Sequence, residues 1–232
     1  MKKTLAFLMA ISLLFSLAVI SAGCGGDSGT GESETRVTEQ TTPSEESGAR
    51  GDVTMCGRSV MYGWLQHWGY QGSGTVSRDG YSFDYRELDG SNMVGSFKDA
   101  VGGLPAGSPV FFKFCFVDFD GSNLAEREEQ VDEVIAFARE KGLKLVIGNA
   151  LPVHEQDAPD GILDEYRSFN EFLEQKAASN PDVWVYDFYG VLAGPDGFLK
   201  AEYDTGDSHP NDEAYTELDV TFFPLLGTVF GG

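Results

Sequence analysis

Basic residues are scarce in this sequence. Its 232 residues include 16 Lys and Arg against 37 Asp and Glu, which gives a formal net charge of −21 at pH 7. Nucleic-acid binding and docking on an anionic bilayer both depend on clustered positive charge, so the composition argues against both kinds of partner. Histidine is scarce too, and three histidines without close spacing do not form the ligand pattern of a zinc site. We therefore expect neither a nucleic-acid partner nor a metal.

Several common enzyme motifs are also absent. No Walker A sequence and no Gly-x-Gly-x-x-Gly fingerprint follows a predicted strand, so nucleotide binding has no support. The Gly-x-Ser-x-Gly elbow of the α/β-hydrolases is missing, because Met61 stands where its last glycine would be. What the chain does have is length, since residues 53–232 are enough for one hydrophobic core and one domain.

The first residues have the pattern of an export signal. Lys2 and Lys3 precede an apolar run at residues 5–20, and small residues then lead to Cys24. A basic start, a short apolar run and a small-residue site are typical of a secretory signal, and the run is short for a membrane span of about 20 residues. The cysteine after Ala-Gly resembles a bacterial lipobox, which implies a signal peptide at 1–23 and lipidation of Cys24. A plainly cleaved signal and an uncleaved anchor are the alternatives.

The next segment, residues 24–52, is predicted to be a flexible tether. It consists mainly of Gly, Ser, Thr and Glu and contains almost no apolar residue. Such a segment cannot bury enough surface to offset the entropy lost on ordering. We therefore expect an exported protein, held at the cell envelope by a lipid on Cys24 and touching the membrane only there.

Hydrophobic periodicity predicts strands that alternate with helices. Strands are predicted at residues 53–56, 81–88, 109–117, 143–151 and 183–188, and helices follow Gly57, cover 92–101, 125–141 and 166–178, and follow Asn211. This alternation indicates a parallel sheet covered on both faces, a three-layer α/β/α sandwich. Function in such sheets gathers at the carboxyl ends of the strands.

Two segments at opposite ends of the domain offer the groups of a serine hydrolase. Ser59 follows a strand and a glycine at the start of a helix, and His209 lies two residues after Asp207. A serine needs a base to take its proton, and a carboxylate can orient that base. In an extended segment residues i and i+2 project to the same side, so Asp207 is expected to reach the imidazole. Asp204 is the alternative orienting acid.

The domain resembles the SGNH (GDSL-like) hydrolases over residues 53–230. Gly57-Arg58-Ser59 matches the serine-bearing first block, Gly90 or Gly95 matches the glycine of the second, and His209-Pro210-Asn211 matches the last. The resemblance implies a five-stranded parallel sheet of flavodoxin-like order 2-1-3-4-5. It also implies ester hydrolysis or acyl transfer by Ser59, Asp207 and His209, without a metal or other cofactor.

The chain departs from the family pattern around the oxyanion and in its Asp-to-His spacing, which is one residue shorter because Gly206 stands where the family has its aspartate. Arg58 stands where the family has Asp, and residues 114–118 replace the Gly-x-Asn-Asp block, so the asparagine that donates to the oxyanion is absent. The backbone N–H groups of Ser59 and Gly90 are the predicted oxyanion donors. Asp118 is predicted to orient Arg58 or Lys113, or to bind a substrate hydroxyl.

Cys56 and Cys115 end strands that are neighbours in the implied sheet order. Export permits a disulfide between them, but its geometry is demanding across adjacent parallel strands, so a bridge and two buried thiols both stay open.

Together these features predict a lipid-anchored serine esterase or acetylesterase that acts on small esters or on acylated cell-surface glycans. An O-acetyltransferase acting on polysaccharide is the first alternative. The second is a degenerate domain that binds a glycan or an envelope protein without turnover. The sequence does not indicate an oligomeric state.

Overall fold

The computed structural model describes residues 50–231. The predicted signal peptide, the lipidation site at Cys24 and the tether up to residue 49 lie outside this range. Within it, no helix combines the length and apolar character needed to cross a membrane.

A six-stranded sheet forms the centre of the described region. Its strands are β1 (Gly51–Gly57), β2 (Thr75–Arg78), β3 (Tyr81–Glu87), β4 (Pro109–Phe112), β5 (Lys144–Gly148) and β6 (Val183–Tyr186), in the order β2-β3-β1-β4-β5-β6. All neighbouring pairs are parallel except β2 and β3. The α/β class and the order of the parallel strands are confirmed, whereas the predicted count of five is wrong by one.

The additional strand arises from a short hairpin. β2 runs antiparallel to β3 and meets it through Asp79 and Gly80, whose φ angles are 49° and 78°. Two consecutive residues with positive φ match the twist of paired strands and make a tight hairpin, which Asp-Gly favours. The sequence prediction took β3 alone, because only one of the four residues of β2, Val76, is apolar and buried.

Helices cover both faces of the sheet and confirm the three-layer sandwich. They are α1 (Ser59–His67), α2 (Met93–Val101), α3 (Leu124–Lys141), α4 (Ile162–Ser179), α5 (Phe188–Leu192) and α6 (Asp212–Gly231). One hydrophobic cluster joins the sheet to α1, α5 and α6, and a second joins it to α2, α3 and α4. Strand β4 contributes to both clusters, since Phe111 lies in the first cluster and Val110 and Phe112 lie in the second.

A buried carboxylate ties the first helix to the last. The indole N–H groups of Trp64 and Trp68 donate to Asp219 Oδ1 at 2.8 and 2.9 Å. Arg78 Nη2 lies 3.4 Å from Asp219 Oδ2. Hydrogen bonds to a charged group each contribute about 1.5–3 kcal/mol, which offsets the cost of burying this carboxylate. The two tryptophans are therefore core residues whose polar ends are satisfied.

The observed strand β4 is shorter than the apolar run at 109–117 from which it was predicted. β4 ends at Phe112, and the chain then forms a short 3₁₀ turn at Phe116–Asp118. Asp118 Oδ2 closes this turn by accepting the N–H of Cys115 at 2.6 Å. Phe114 and Cys115 beyond the strand are buried and Phe116 packs against the core, whereas Val117 is exposed.

Candidate active site

Ser59 is placed by a direct strand-to-helix turn. β1 ends at Gly57, and Ser59 is the exposed first residue of α1. A Cβ atom at Gly57 would lie 2.8 Å from Met61 Cβ, so only glycine permits this approach. The Tyr85 hydroxyl donates to the carbonyl of Gly57 at 3.3 Å and fixes the end of the strand. The serine side chain therefore projects at the carboxyl edge of the sheet.

The structure brings together the three residues predicted as nucleophile, base and orienting acid. His209 Nε2 lies 2.9 Å from Ser59 Oγ, although the residues are 150 positions apart. His209 Nδ1 lies 3.0 Å from Asp207 Oδ1, an ion-pair distance without the alignment of a hydrogen bond. The Thr205 hydroxyl and then His209 lower the pKa of Asp207, so this carboxyl is charged at neutral pH. The chain carboxylate–imidazole–hydroxyl is the arrangement that activates a serine.

The backbone that brings Asp207 to His209 differs from the prediction. Ser208, between them, has a φ of 67°, so the segment is a tight turn and the predicted extended conformation is wrong. Left-handed backbone is unfavourable for serine and persists only where surrounding contacts enforce it. The meeting of Asp207 and His209 therefore depends on what holds Ser208.

Three hydrogen bonds hold the fully buried Ser208. Its hydroxyl donates to Asp157 Oδ2 at 2.9 Å and accepts from the N–H of His154 at 3.0 Å. Its own N–H donates to Asp204 Oδ1 at 2.8 Å. Asp204, the alternative orienting acid, is thus engaged with the backbone of the turn. Sequence reasoning missed Ser208, because nothing in the motif marks a buried serine between the exposed Asp207 and the partly exposed His209.

Two residues beyond β4 complete the surroundings of Ser59 and His209. Cys115 Sγ lies 3.9 Å from Ser59 Oγ. The Phe116 ring packs edge-on against the His209 imidazole, with centroids 5.2 Å apart. Sequence reasoning did not assign either residue to the site. Their position just past a strand at the carboxyl edge was the signal that could have identified them.

Residues 114–118, which stand where the family has its oxyanion asparagine, contribute to an ion pair. Arg58 Nη1 lies 2.6 Å from Asp118 Oδ1, which agrees with the expectation that Asp118 orients Arg58. A Cβ atom at Gly90 would lie 2.8 Å from Arg58 Cζ, so glycine there makes room for the guanidinium. The other candidate, Gly95, lies inside α2 and donates its N–H to the side chain of Asn92. Gly90 is therefore the glycine that lies beside the site.

A buried lysine lies beneath the turn that carries Ser59. Lys113 is fully buried, its Nζ lies 5.4 Å from the centroid of the Phe188 ring, and it has no hydrogen-bond partner among the described residues. Burial lowers its pKa, an effect partly opposed by Cys115 and Asp118. The structure does not pair Lys113 with Asp118, which had been the other expectation for that carboxylate.

The two cysteines of the described region are free and buried. Cys56 packs in the cluster with α2, α3 and α4, whereas Cys115 packs in the cluster with α1, α5 and α6. The thiols thus lie on different faces of the sheet, and the disulfide alternative is wrong here. Burial raises the pKa of Cys56, which makes it an inert thiol.

Clefts open directly at the nucleophile. One of about 460 Å³ is lined by Ser59, Tyr62, Tyr85 and neighbours, and one of about 610 Å³ includes both Ser59 and His209. These volumes suit a small-molecule ester or one or two sugar units. Among residues 50–231, no group of three or more His, Cys, Asp or Glu side chains could hold a metal ion.

Comparisons with known proteins give a consistent result for the fold. The structure is similar to that of a GDSL-like lipase from Bacteroides thetaiotaomicron, with 16% identity and a TM-score of 0.60 over 77% of this chain and 89% of the other. It is also similar to a member of the lipolytic G-D-S-L family from Veillonella parvula, with 19% identity and a TM-score of 0.57 over 75% and 97% of the two chains. The fold is that of the SGNH (GDSL-like) hydrolases.

The same fold similarity extends to the OSK domain of Drosophila Oskar, with 15% identity and a TM-score of 0.53 over 75% of this chain and 86% of the other. No protein-family model and no curated protein sequence matches the chain. Because a fold hosts many activities, the function of this SGNH-type domain has to be argued from its own site.

Proposed function

We propose that this protein is a serine esterase that hydrolyses acyl esters outside the cytoplasmic membrane, anchored through Cys24. The observation that carries the activity is the 2.9 Å contact between Ser59 Oγ and His209 Nε2, with Asp207 on the far ring nitrogen. The export and the anchor rest on the sequence of residues 1–24 alone.

In the proposed reaction, Ser59 Oγ attacks the acyl carbon while His209 Nε2 takes its proton. Asp207 holds the ring and stabilises the imidazolium that forms. His209 then gives the proton to the departing alcohol oxygen, which leaves an acyl-enzyme. Water, activated by the same imidazole, attacks the acyl carbon, the acid is released and Ser59 recovers its proton.

The oxyanion formed in each step needs donors. The N–H of Ser59, at the first turn of α1, has no acceptor within the helix and is one candidate. Arg58 is the second, in place of the missing asparagine. Its Nη1 binds Asp118, and its side chain remains 32% exposed, so other guanidinium N–H groups can face a substrate.

The direct test is hydrolysis of p-nitrophenyl acetate by the wild-type domain and by Ser59→Ala. Serine-dependent turnover supports the esterase, and Ser179→Ala, an exposed serine at the end of α4, serves as the matched control. Equal turnover by wild type and Ser59→Ala would contradict the proposal.

A catalytically degenerate binding domain is the second candidate, favoured by one observation. The Arg58–Asp118 pair occupies the region where the family places its oxyanion asparagine. If this pair cannot stabilise an oxyanion, the wild-type domain will bind acylated glycans without cleaving them. Binding of an acetylated xylan without release of acetate would support this candidate over the esterase.

A further inference from the structure

A third cleft, of about 500 Å³, lies beside the triad and is distinct from the two that open at Ser59. It touches the site through Asp207 and Phe116, whose ring packs against His209. Because His209 must protonate the departing oxygen, the alcohol side of the ester leaves along the imidazole. A group attached to that oxygen and passing the Phe116 ring enters this cleft.

The inner wall of the cleft is aromatic and apolar. Phe116 and Val117 supply accessible apolar surface, whereas Phe119, Val153 and Tyr166 are each at most 4% exposed. The face of an accessible aromatic ring carries partial negative charge, so Phe116 can contact an apolar group or an alkylated cation.

The rim of the same cleft is acidic. Asp120, Asp157 and Asp207 line it, and all three are exposed. No lysine or arginine is among its lining residues. Hydrogen bonds from Ser122, and then Arg127, lower the pKa of Asp120, and Arg127 itself lies 2.8 Å from Glu126. Asp120 and Asp157 are therefore not neutralised by a lysine or arginine within the cleft, whereas Asp207 faces His209 Nδ1 at 3.0 Å.

Resting on the esterase function above, we propose that this cleft binds the alcohol portion of the substrate, and that this portion is a short apolar arm carrying a positive charge. The substrate class is thus an ester of an amino or quaternary ammonium alcohol. The apolar lining accommodates the alkyl groups, and the rim carboxylates attract the charge.

The experiment compares two esters that share shape and acyl group but differ in charge. Acetylcholine and 3,3-dimethylbutyl acetate differ by a nitrogen in place of a carbon. We expect wild-type kcat/KM to favour acetylcholine by about tenfold, from the combined cation–π and carboxylate attraction. Raising the NaCl concentration to 0.5 M should reduce this preference through screening.

A matched pair of variants separates the cleft from the overall charge of the protein. Asp120→Asn keeps the oxygen that accepts from Ser122 and removes one rim charge, so we expect the preference to fall about threefold. Glu129→Gln removes one exposed charge on α3 and should leave the preference unchanged. Equal losses in both variants would show general steering and would overturn the proposed site.

A binding measurement distinguishes failure of this inference from failure of the esterase. Choline and 3,3-dimethylbutan-1-ol are titrated into the Ser59→Ala protein, where no turnover is needed. We expect tighter binding of choline, and Asp120→Asn should reduce this difference. Serine-dependent hydrolysis of p-nitrophenyl acetate with no preference for acetylcholine or choline would refute the cleft assignment and leave the esterase standing.

Discussion

The two sides of Ser59 are built in different ways. On the side of His209, Thr205, Asp207 and Ser208 lie in one short segment, residues 204–209, and Asp157 and His154 hold that segment through Ser208. On the side of Arg58, the partners are distant in sequence. Asp118 is 60 positions away, and Gly90 approaches the guanidinium from the loop after β3.

The two sides also differ in how they depart from the family pattern. His209 and Asp207 keep their contact with each other and with Ser59, although the Asp-to-His spacing is one residue shorter than in the family. Where the family has its oxyanion asparagine, this chain has Arg58 held by Asp118 at 2.6 Å. Under the proposed function, we expect large losses when the first side is altered and intermediate losses when the second is.

The largest effect is expected for His209→Ala. Removal of the general base should lower kcat by about 10²–10⁴-fold, with little change in the thermal midpoint, because the ring is partly exposed. Steady-state turnover of p-nitrophenyl acetate measures the change in kcat. His154→Ala, which keeps the backbone N–H that Ser208 accepts, is the matched histidine control, and a loss of the same size there would remove the case for His209.

Asp207→Asn is expected to reduce kcat by at least about tenfold, because the amide cannot stabilise the imidazolium. Asp204→Asn keeps an oxygen for the N–H of Ser208 and should retain near-wild-type turnover. The pKa of Asp207 is below its usual value, so its contribution is present at neutral pH and is lost only as the pH falls through that lowered pKa. A larger loss in Asp204→Asn than in Asp207→Asn would reverse their roles.

Arg58→Ala is expected to lower kcat by about tenfold and to change KM less, since an oxyanion donor acts mainly in the transition state. Arg86→Ala, an exposed arginine at the end of β3, is the control. A rise in KM with unchanged kcat would show that Arg58 only binds the ground state of the substrate, and its proposed role as an oxyanion donor would then be wrong.

Ser208→Ala removes the two hydrogen bonds of the Ser208 hydroxyl that hold the turn. We expect a looser Asp207–His209 contact and a fall in kcat of about threefold. Ser208→Gly, which adopts positive φ readily but lacks the hydroxyl, should show a similar loss, because the effect is assigned to the hydrogen bonds of the hydroxyl. A fall in stability with unchanged kcat in the folded Ser208→Ala protein would make Ser208 a purely structural residue.

The smallest effect concerns stability. Lys113→Met removes a buried amine without a hydrogen-bond partner and should raise the free energy of unfolding by about 1–3 kcal/mol at pH 7. Because burial lowers the pKa of Lys113 below its ordinary value of 10.5, the unfolded chain binds the proton more strongly. Wild-type stability is therefore penalised at low and neutral pH and recovers as the pH rises toward the unfolded value.

Urea unfolding at pH 7 and pH 10 measures this difference. The advantage of Lys113→Met should shrink at the higher pH. An advantage that stays constant or grows with pH would contradict the lowered pKa of Lys113.

The parts of the fold that follow from local pattern were predictable. Apolar runs placed the five parallel strands, and the spacing of Val60, Met61 and Trp64 placed α1 on the core. The hairpin strand β2 was missed because its stability comes from an Asp-Gly turn and pairing with β3, while its own residues are mostly exposed.

The site residues, too, fall into those that the sequence could predict and those that it could not. Ser59 and His209 could be found from sequence because each carries a recognisable motif. The φ of Ser208, the Phe116 ring and the packing of Gly90 against Arg58 could not, since they depend on contacts between segments that only folding brings together. Cys115 is an example. The sequence indicated its position past a strand, but it did not indicate the contact between Cys115 and Ser59.

The most direct test of the central claim is labelling by a fluorophosphonate, in which a serine activated by a base displaces fluoride at phosphorus. The account predicts a single adduct on Ser59 in the wild-type domain, found by peptide mass mapping, and its loss in both Ser59→Ala and His209→Ala. Absence of labelling in the folded wild-type protein, or an adduct that persists when Ser59 is replaced, would contradict it.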